Sequence, residues 1–229
     1  MVLNLKKGKT ECILFGTCHR IKEKTLNIVH RHQTISFTKT YTYLGVQLDQ
    51  TLSLRNHLDG VYKKAIGRLY LLKRVRPQIT TEAAMTIYTT MLVPLFTYCS
   101  ILNGEPTRTY DSKIKNMEDR AYRIIHNKKR DQKTNFKTVR ELVKKRICLQ
   151  VYKCLNGNTC DVFENYFKLM KNNTRNKNCL IHLEKIKLES CRKSFFFNGA
   201  KQFNSMPVEI RSAESKNKFL KLYKEFFNV

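Results

Sequence analysis

The chain has 229 residues, and its 13 Phe and 11 Tyr exclude a disordered tail because so many aromatic side chains predict a packed core. Lys and Arg number 44 against 18 Asp and Glu, and the net charge of +26 predicts a polyanionic partner, with nucleic acid favoured over an anionic membrane. Because we find no long apolar run, lipidation motif or secretory signal, we expect no membrane partner and an intracellular location, cytoplasmic or nuclear.

Residues 1–50 are predicted to form short β-strands. Three apolar or β-branched runs precede an alternating stretch, Tyr41–Leu48, that ends at Asp49. These runs are Cys12–Phe15, Leu26–Val29 and Thr34–Phe37. A strand set this small rarely stands alone, so we expect it to form the edge of a larger antiparallel sheet.

From Leu54 onwards the apolar spacing becomes helical, which predicts an α+β fold with a mainly helical remainder. The first helix is predicted to end at Pro77, because proline interrupts helical hydrogen bonding. Basic residues occupy the arc opposite its apolar face: Lys63, Lys64, Arg68 and Arg74.

A nearly apolar helix is predicted next, at about Glu82–Ile101. Thr80 or Thr81 would cap it, and Pro94 would kink it near Thr90.

Three more helices are predicted from the same periodicity, at about Ser112–Asn127, Thr138–Leu155 and Ser215–Phe227. Asn156-Gly157-Asn158 is a plausible end for the second of them. The Asn- and Lys-rich stretch Lys168–Lys177 is predicted to be a mobile loop.

The sequence contains no recognisable catalytic or metal site. Polymerases and nucleases need paired carboxylates to hold metal ions, and no two aspartates sit together at a strand end. Glu118 and Asp119 are adjacent, but helical neighbours point about 100° apart, so we interpret them as solvated charges. His30 and His32 share a predicted strand face, where an ordinary polar role is favoured over metal binding. The eight cysteines are scattered, which favours free thiols over disulfides or zinc.

Clusters of basic residues instead predict binding to nucleic-acid backbones. Each cluster alone is typical of a solvated surface, but their number, with few compensating acids, favours phosphate contacts. Neighbouring Tyr and Phe could stack on bases, although most aromatic residues serve core packing. The predicted backbone contacts are Lys63, Lys64, Arg68, Arg74, Lys128, Lys129 and Arg130.

Several stretches resemble the reverse transcriptases of LINE-type, jockey-like (non-LTR) retrotransposons. Leu3–Gly16, with its Lys9-Thr10 pair, is similar to the stretch that follows the catalytic strand. Tyr43-Leu44-Gly45-Val46 resembles the turn at the end of the palm, and Pro94–Cys99 resembles a helix of the thumb region. Phe197–Lys201 and Phe203–Pro207 resemble a tail segment, in which the family usually has Trp and Leu where this chain has Phe203 and Met206.

The resemblance implies four parts: residues 1–50 as the C-terminal edge of the palm, 51–130 as a helical thumb, 131–190 as a basic helical connector with a mobile loop, and 191–229 as a helical tail module. It implies that Lys9 lies near the incoming nucleotide as a candidate proton donor. Tyr43, Leu44 and Gly45 would belong to the primer grip. The implied partners are RNA and RNA–DNA duplex, with no small-molecule substrate.

The family's catalytic Asp-Asp pair would precede Asn4, and this chain does not contain it. We therefore expect a truncated reverse transcriptase that binds the template–primer backbone without polymerising and holds no cofactor, although the parent enzyme would use Mg²⁺. Two alternatives stay open: a stand-alone basic RNA- or DNA-binding module, and the product of a decayed element with no selected function.

Overall fold

A computed structural model describes residues 10–16, 21, 27–30, 33–102, 108–128, 130, 136–163, 166–170, 179–186, 189–192 and 194–227. The chain divides into two compact units, Met1–Lys64 and Ala65–Val229. The expected α+β class is confirmed, since short antiparallel strand pairs precede a series of helices. His32 lies outside the described residues.

The first unit contains two β-hairpins. Strand β1 (Ile28–His30) pairs with β2 (Gln33–Ile35), and β3 (Thr40–Tyr43) pairs with β4 (Val46–Asp49). The alternating stretch Tyr41–Leu48 is thus divided into two strands, with a turn at the position that the family resemblance implied. Leu44 and Gly45 have φ angles of 47° and 78°, and this left-handed pair reverses the chain as a type I′ turn does.

Asp49 holds the loop that leads into helix α1 (Arg55–Val75). Its Oδ1 accepts a hydrogen bond from the Leu54 N–H at 2.9 Å, and its Oδ2 accepts from the N–H groups of Thr51 and Ser53, each at 3.2 Å. Burial alone would raise the pKa of Asp49, but hydrogen bonds from the Thr51 hydroxyl and from the N–H groups of Ser53 and Leu54 outweigh it, so the pKa lies below its ordinary value. The carboxylate thus fixes the start of α1.

The nearly apolar helix is divided into three segments. They are α2 (Thr81–Ile87), a π-helical segment (Tyr88–Leu92) and α3 (Val93–Thr97). Thr80 caps α2 by accepting a hydrogen bond from the Ala83 N–H at 3.2 Å.

The irregularity expected near Thr90 is present as the π-helical segment, but the predicted end at Ile101 is wrong. Pro94 has no N–H to donate, and immediately before it the Val93 N–H reaches five residues back, to the carbonyl of Tyr88. Helical structure ends at Thr97, because Tyr98 adopts an extended backbone.

Helices α4 (Arg108–His126) and α5 (Val139–Leu155) follow. The predicted limits of α5 are confirmed: Thr138 forms a capping box with Glu141, and Gly157, at a φ of 66°, ends the helix.

Further helices follow in the C-terminal part, and the two longest of them pack on α5. They are α6 (Glu189–Arg192), α7 (Phe195–Asn204), α8 (Val208–Arg211) and α9 (Lys216–Phe227). Their shared core includes Val151, Phe203 and Phe219. Beside it, Lys168 and Met170 hydrogen-bond to the chain around Ile181, whereas residues 171–177 of the predicted loop lie outside the described residues.

Candidate nucleic-acid interface

The turn between β3 and β4 presents the predicted primer-grip residues at the surface. Tyr43 is 59% exposed and Leu44 72% exposed, and Gly45 is also exposed. Val46, the register partner of Tyr43, is buried and anchors the turn. The turn can therefore offer an aromatic and an aliphatic side chain to a partner without disturbing the hairpin.

Lys9, the predicted proton donor, lies outside the described residues. A histidine nevertheless ties the hairpin to α1 within the same unit. His57 Nδ1 accepts a hydrogen bond from the Gln47 N–H at 3.4 Å, and burial, with the nearby charge of Lys64, lowers the pKa of His57.

The basic residues predicted on α1 fall into two groups. Lys63, Lys64 and Arg74 are exposed and form no ion pair with another described residue. Arg68 is half-buried, and its Nη1 donates to the main-chain oxygen of Met91, in the π-helical segment. Lys63, Lys64 and Arg74 are thus open to phosphate, whereas Arg68 already supports the fold.

Arg76 and Arg74 lie close together in the sequence but have different roles, because Arg76 is bound by the protein itself. Its guanidinium donates to the carbonyl of Ile125 at 3.0 Å, to that of Ile79 at 2.8 Å, and to Thr81 Oγ1 at 2.9 Å. Its neighbour Arg74 is exposed. Adjacent cations in the sequence therefore differ in what they can bind.

The residues of the predicted cluster Lys128-Lys129-Arg130 also differ in exposure and in their partners. Lys128 is exposed, and Lys129 lies outside the described residues. Arg130 is largely buried, with its guanidinium 3.8 Å from Glu118 and 3.5 Å from Asp119. It also donates to the Phe136 carbonyl at 3.1 Å and lies over that ring. A phosphate contact by Arg130 stays a prediction.

The interpretation of Glu118 as a solvated charge is wrong. Glu118 is only 3% exposed, and its Oε1 accepts a hydrogen bond from the Val139 N–H at the start of α5. Burial raises the pKa of Glu118 to about 7, although the Val139 N–H and Arg130 oppose the shift. Glu118 thus joins α4 to the start of α5. The sequence signals missed this because both partners are distant along the chain.

A third group of cations lies on α5, where the sequence has Lys144-Lys145-Arg146. The ammonium groups of Lys144 and Lys145 lie over the rings of Phe227 and Tyr223, at 5.4 Å and 5.8 Å from their centroids. Arg146 Nη1 donates to the carbonyl of Thr97 at 2.8 Å. The α9 helix therefore positions two of the three cations.

Within the described ranges, no three His, Cys, Asp or Glu side chains are grouped to hold a metal ion. The cysteines among these residues are free thiols, as expected. None of the described helices is both long and apolar enough to cross a membrane.

Comparison with known proteins yields one partial similarity. No protein-family model matches the chain, and no solved structure matches it. The RNA-directed DNA polymerase from mobile element jockey of Drosophila funebris is 28% identical over 94 residues, which are 40% of this chain and 10% of that polymerase. The match thus spans about one tenth of the relative's length. It supports a retrotransposon-related origin for this chain.

Proposed function

We propose that the chain binds RNA and RNA–DNA duplex through the phosphate backbone, as part of a retrotransposon reverse transcriptase. The net charge of +26 carries this proposal. The exposed cations Lys63, Lys64, Arg74 and Lys128, which form no ion pair with another described residue, support it, because each phosphate they neutralise would release counterions. The partial similarity to the jockey polymerase supports the choice of partner.

The proposed binding is independent of base sequence. Lysine ammonium groups act as point charges on phosphates, which position a strand without reading its bases. The exposed turn at Tyr43 and Leu44 would add apolar contact with the primer strand.

The chain is proposed not to polymerise by itself, because its sequence contains no aspartate pair able to hold two metal ions. A primer-extension assay with Mg²⁺ and all four deoxynucleotides tests this. We expect no extension, and clear nucleotide incorporation would contradict the proposal.

Binding itself is tested by measuring affinity for RNA–DNA duplex against salt concentration. The logarithm of the binding constant should fall linearly with the logarithm of salt, by roughly 0.7–0.9 per phosphate neutralised. Lys64→Gln and Lys128→Gln should each reduce the slope by about 1. Lys185→Gln, at an exposed lysine outside the predicted contacts, is the control. A flat plot for the unaltered chain would rule out backbone binding.

A further inference from the structure

A cavity of about 580 Å³ lies within the second unit, between the α2–α3 segments and α5. Most of its wall is apolar and comes from Met85, Val93, Leu142 and Leu149. A volume of this size is typical of sites that enclose a small ligand.

Among the described residues, cations and no acids line this cavity, which gives this part of it a positive character. Lys137, Lys145 and Arg146 contribute to the lining. Lys137 is exposed and forms no ion pair with another described residue. The Lys145 ammonium is held over the Tyr223 ring, and Arg146 is held by the Thr97 carbonyl. These contacts position two positive charges before any ligand binds.

The threonines in the wall do not offer free hydroxyl groups. Thr89 Oγ1 donates to the carbonyl of Met85 at 3.0 Å, and Thr97 Oγ1 donates to that of Val93 at 3.3 Å. Both threonine hydroxyls are thus occupied by their own helix, whereas the hydroxyl of Tyr88, which also lines the cavity, is buried without a hydrogen-bond partner among the described residues.

We propose that this cavity binds one nucleotide, with its base against the apolar wall and its phosphate on Lys137 and Arg146. The ligand class follows from the combination of a small apolar cavity with a cationic lining, in a chain whose charge predicts a nucleic-acid partner. The inference therefore rests on the proposed function and adds a site to it. The nucleotide can come from a single strand or from free solution.

The substitution Thr89→Trp tests the site, because the larger side chain would fill the cavity from an exposed position. Thr86→Trp is the matched control, because Thr86 is exposed on the same helical stretch, also donates to its own helix, and does not line the cavity. One probe is single-stranded RNA carrying the fluorescent base 2-aminopurine, and the other is free AMP measured by calorimetry.

The unaltered chain and Thr86→Trp should both change the fluorescence of 2-aminopurine, because the bound base leaves its stacked neighbours. Thr89→Trp should abolish that change and weaken single-strand binding by about 5- to 100-fold, the range expected for one lost base contact. Lys137→Gln is a second variant at an exposed side chain, and it should weaken the same signal several-fold.

The outcomes separate this inference from the proposed function. Saturable AMP binding that Thr89→Trp removes would identify free nucleotide as a ligand, whereas a response from RNA alone would identify a nucleotide within a strand. If RNA binds with the expected salt dependence but neither variant alters fluorescence or AMP binding, the cavity site is overturned and backbone binding survives. If oleate binds in a Thr89→Trp-sensitive manner while AMP and RNA do not, the site accepts apolar anions and the nucleotide inference is overturned. If RNA fails to bind at all, the proposed function falls, and the AMP measurement still decides the cavity.

Discussion

Two segments that resemble the same polymerase family have opposite surroundings. In the turn at Tyr43-Leu44, the family-like side chains are mostly exposed. In the tail segment, Asn198, Phe203 and Met206 are buried. Packing can therefore explain the pattern in the tail segment, whereas it does not explain the exposed side chains of the turn.

The tail segment can be explained by packing alone. A Cβ added to Gly199 would lie 2.9 Å from Val151 Cγ2, so only glycine fits without a shift. Asn204 acts as a strand partner for Ile181, accepting from its N–H at 2.9 Å and donating to its carbonyl at 2.8 Å. Pro207 then begins the short α8. Packing and internal hydrogen bonds thus account for Gly199 and Asn204 without a partner molecule.

The largest effect is expected for Phe203→Ala. Phe203, on α7, is fully buried in the core that α7 shares with α5 and α9. Removing its ring should leave a cavity and lower the free energy of unfolding by about 3–5 kcal/mol. Urea denaturation followed by circular dichroism measures this. Phe226→Ala removes a ring that is 61% exposed and should change stability by less than about 1 kcal/mol. Equal losses at the two positions would contradict the assignment of the tail segment to the core.

Glu118 is a buried polar side chain outside both segments, and it makes stability depend on pH. Its raised pKa means that the folded state keeps a proton that the unfolded state releases between about pH 4.5 and pH 7. The free energy of unfolding should therefore fall as pH rises through this window, by up to about 3 kcal/mol from this group.

Glu118→Gln should remove that fall while keeping an oxygen for the Val139 N–H. Urea midpoints from pH 4.5 to pH 8 should show the variant gaining stability relative to the unaltered chain as pH rises, then levelling off. Glu214→Gln, at an exposed ion pair, should run parallel to the unaltered chain. A parallel curve for Glu118→Gln as well would show that Glu118 does not titrate in this range.

The sequence predicts local features well and distant partners poorly. Thr80, Thr138 and Gly157 were correctly placed at helix ends because a cap depends on residues within one turn. The alternating pattern of Tyr41–Leu48 continues across Leu44, and a left-handed leucine has no strong sequence signal, so only the family resemblance indicates the turn there.

The candidate interface shows the same limit. The exposed Lys63 and Lys64 agree with the predicted polar arc of α1. Arg68 and Arg130 looked equivalent to them in sequence, yet each is bound by the protein itself, to Met91 and to Glu118. Because these partners lie 23 and 12 residues away, composition and helical periodicity could not identify them.

A smaller loss is expected for Asn204→Ala, which removes both hydrogen bonds to Ile181. Because Ile181 is buried, its N–H and carbonyl would be left unsatisfied, at a cost of about 1–3 kcal/mol in the free energy of unfolding. Asn204→Asp keeps the acceptor for the N–H but turns a carboxylate towards the Ile181 carbonyl, so it should not restore stability. Hydrogen exchange of the Ile181 amide provides a local readout. An unchanged exchange rate in Asn204→Ala would contradict the strand-partner role.

The smallest change in stability, and the most informative in sign, is expected for Leu44→Gly. Leu44 has a φ of 47°, where a side chain costs energy and glycine does not, so the free energy of unfolding should stay level or rise by up to about 1 kcal/mol. The substitution also removes an exposed side chain from the proposed contact with the primer strand. Affinity for RNA–DNA duplex should therefore fall several-fold while stability does not, the reverse of a tail substitution that destabilises the core. Leu52→Gly is the matched control, because Leu52 is also exposed and has a φ of 52° but lies outside the turn. Equal loss of affinity in Leu44→Gly and Leu52→Gly would contradict a contact at the turn, because only Leu44→Gly removes a side chain from the turn.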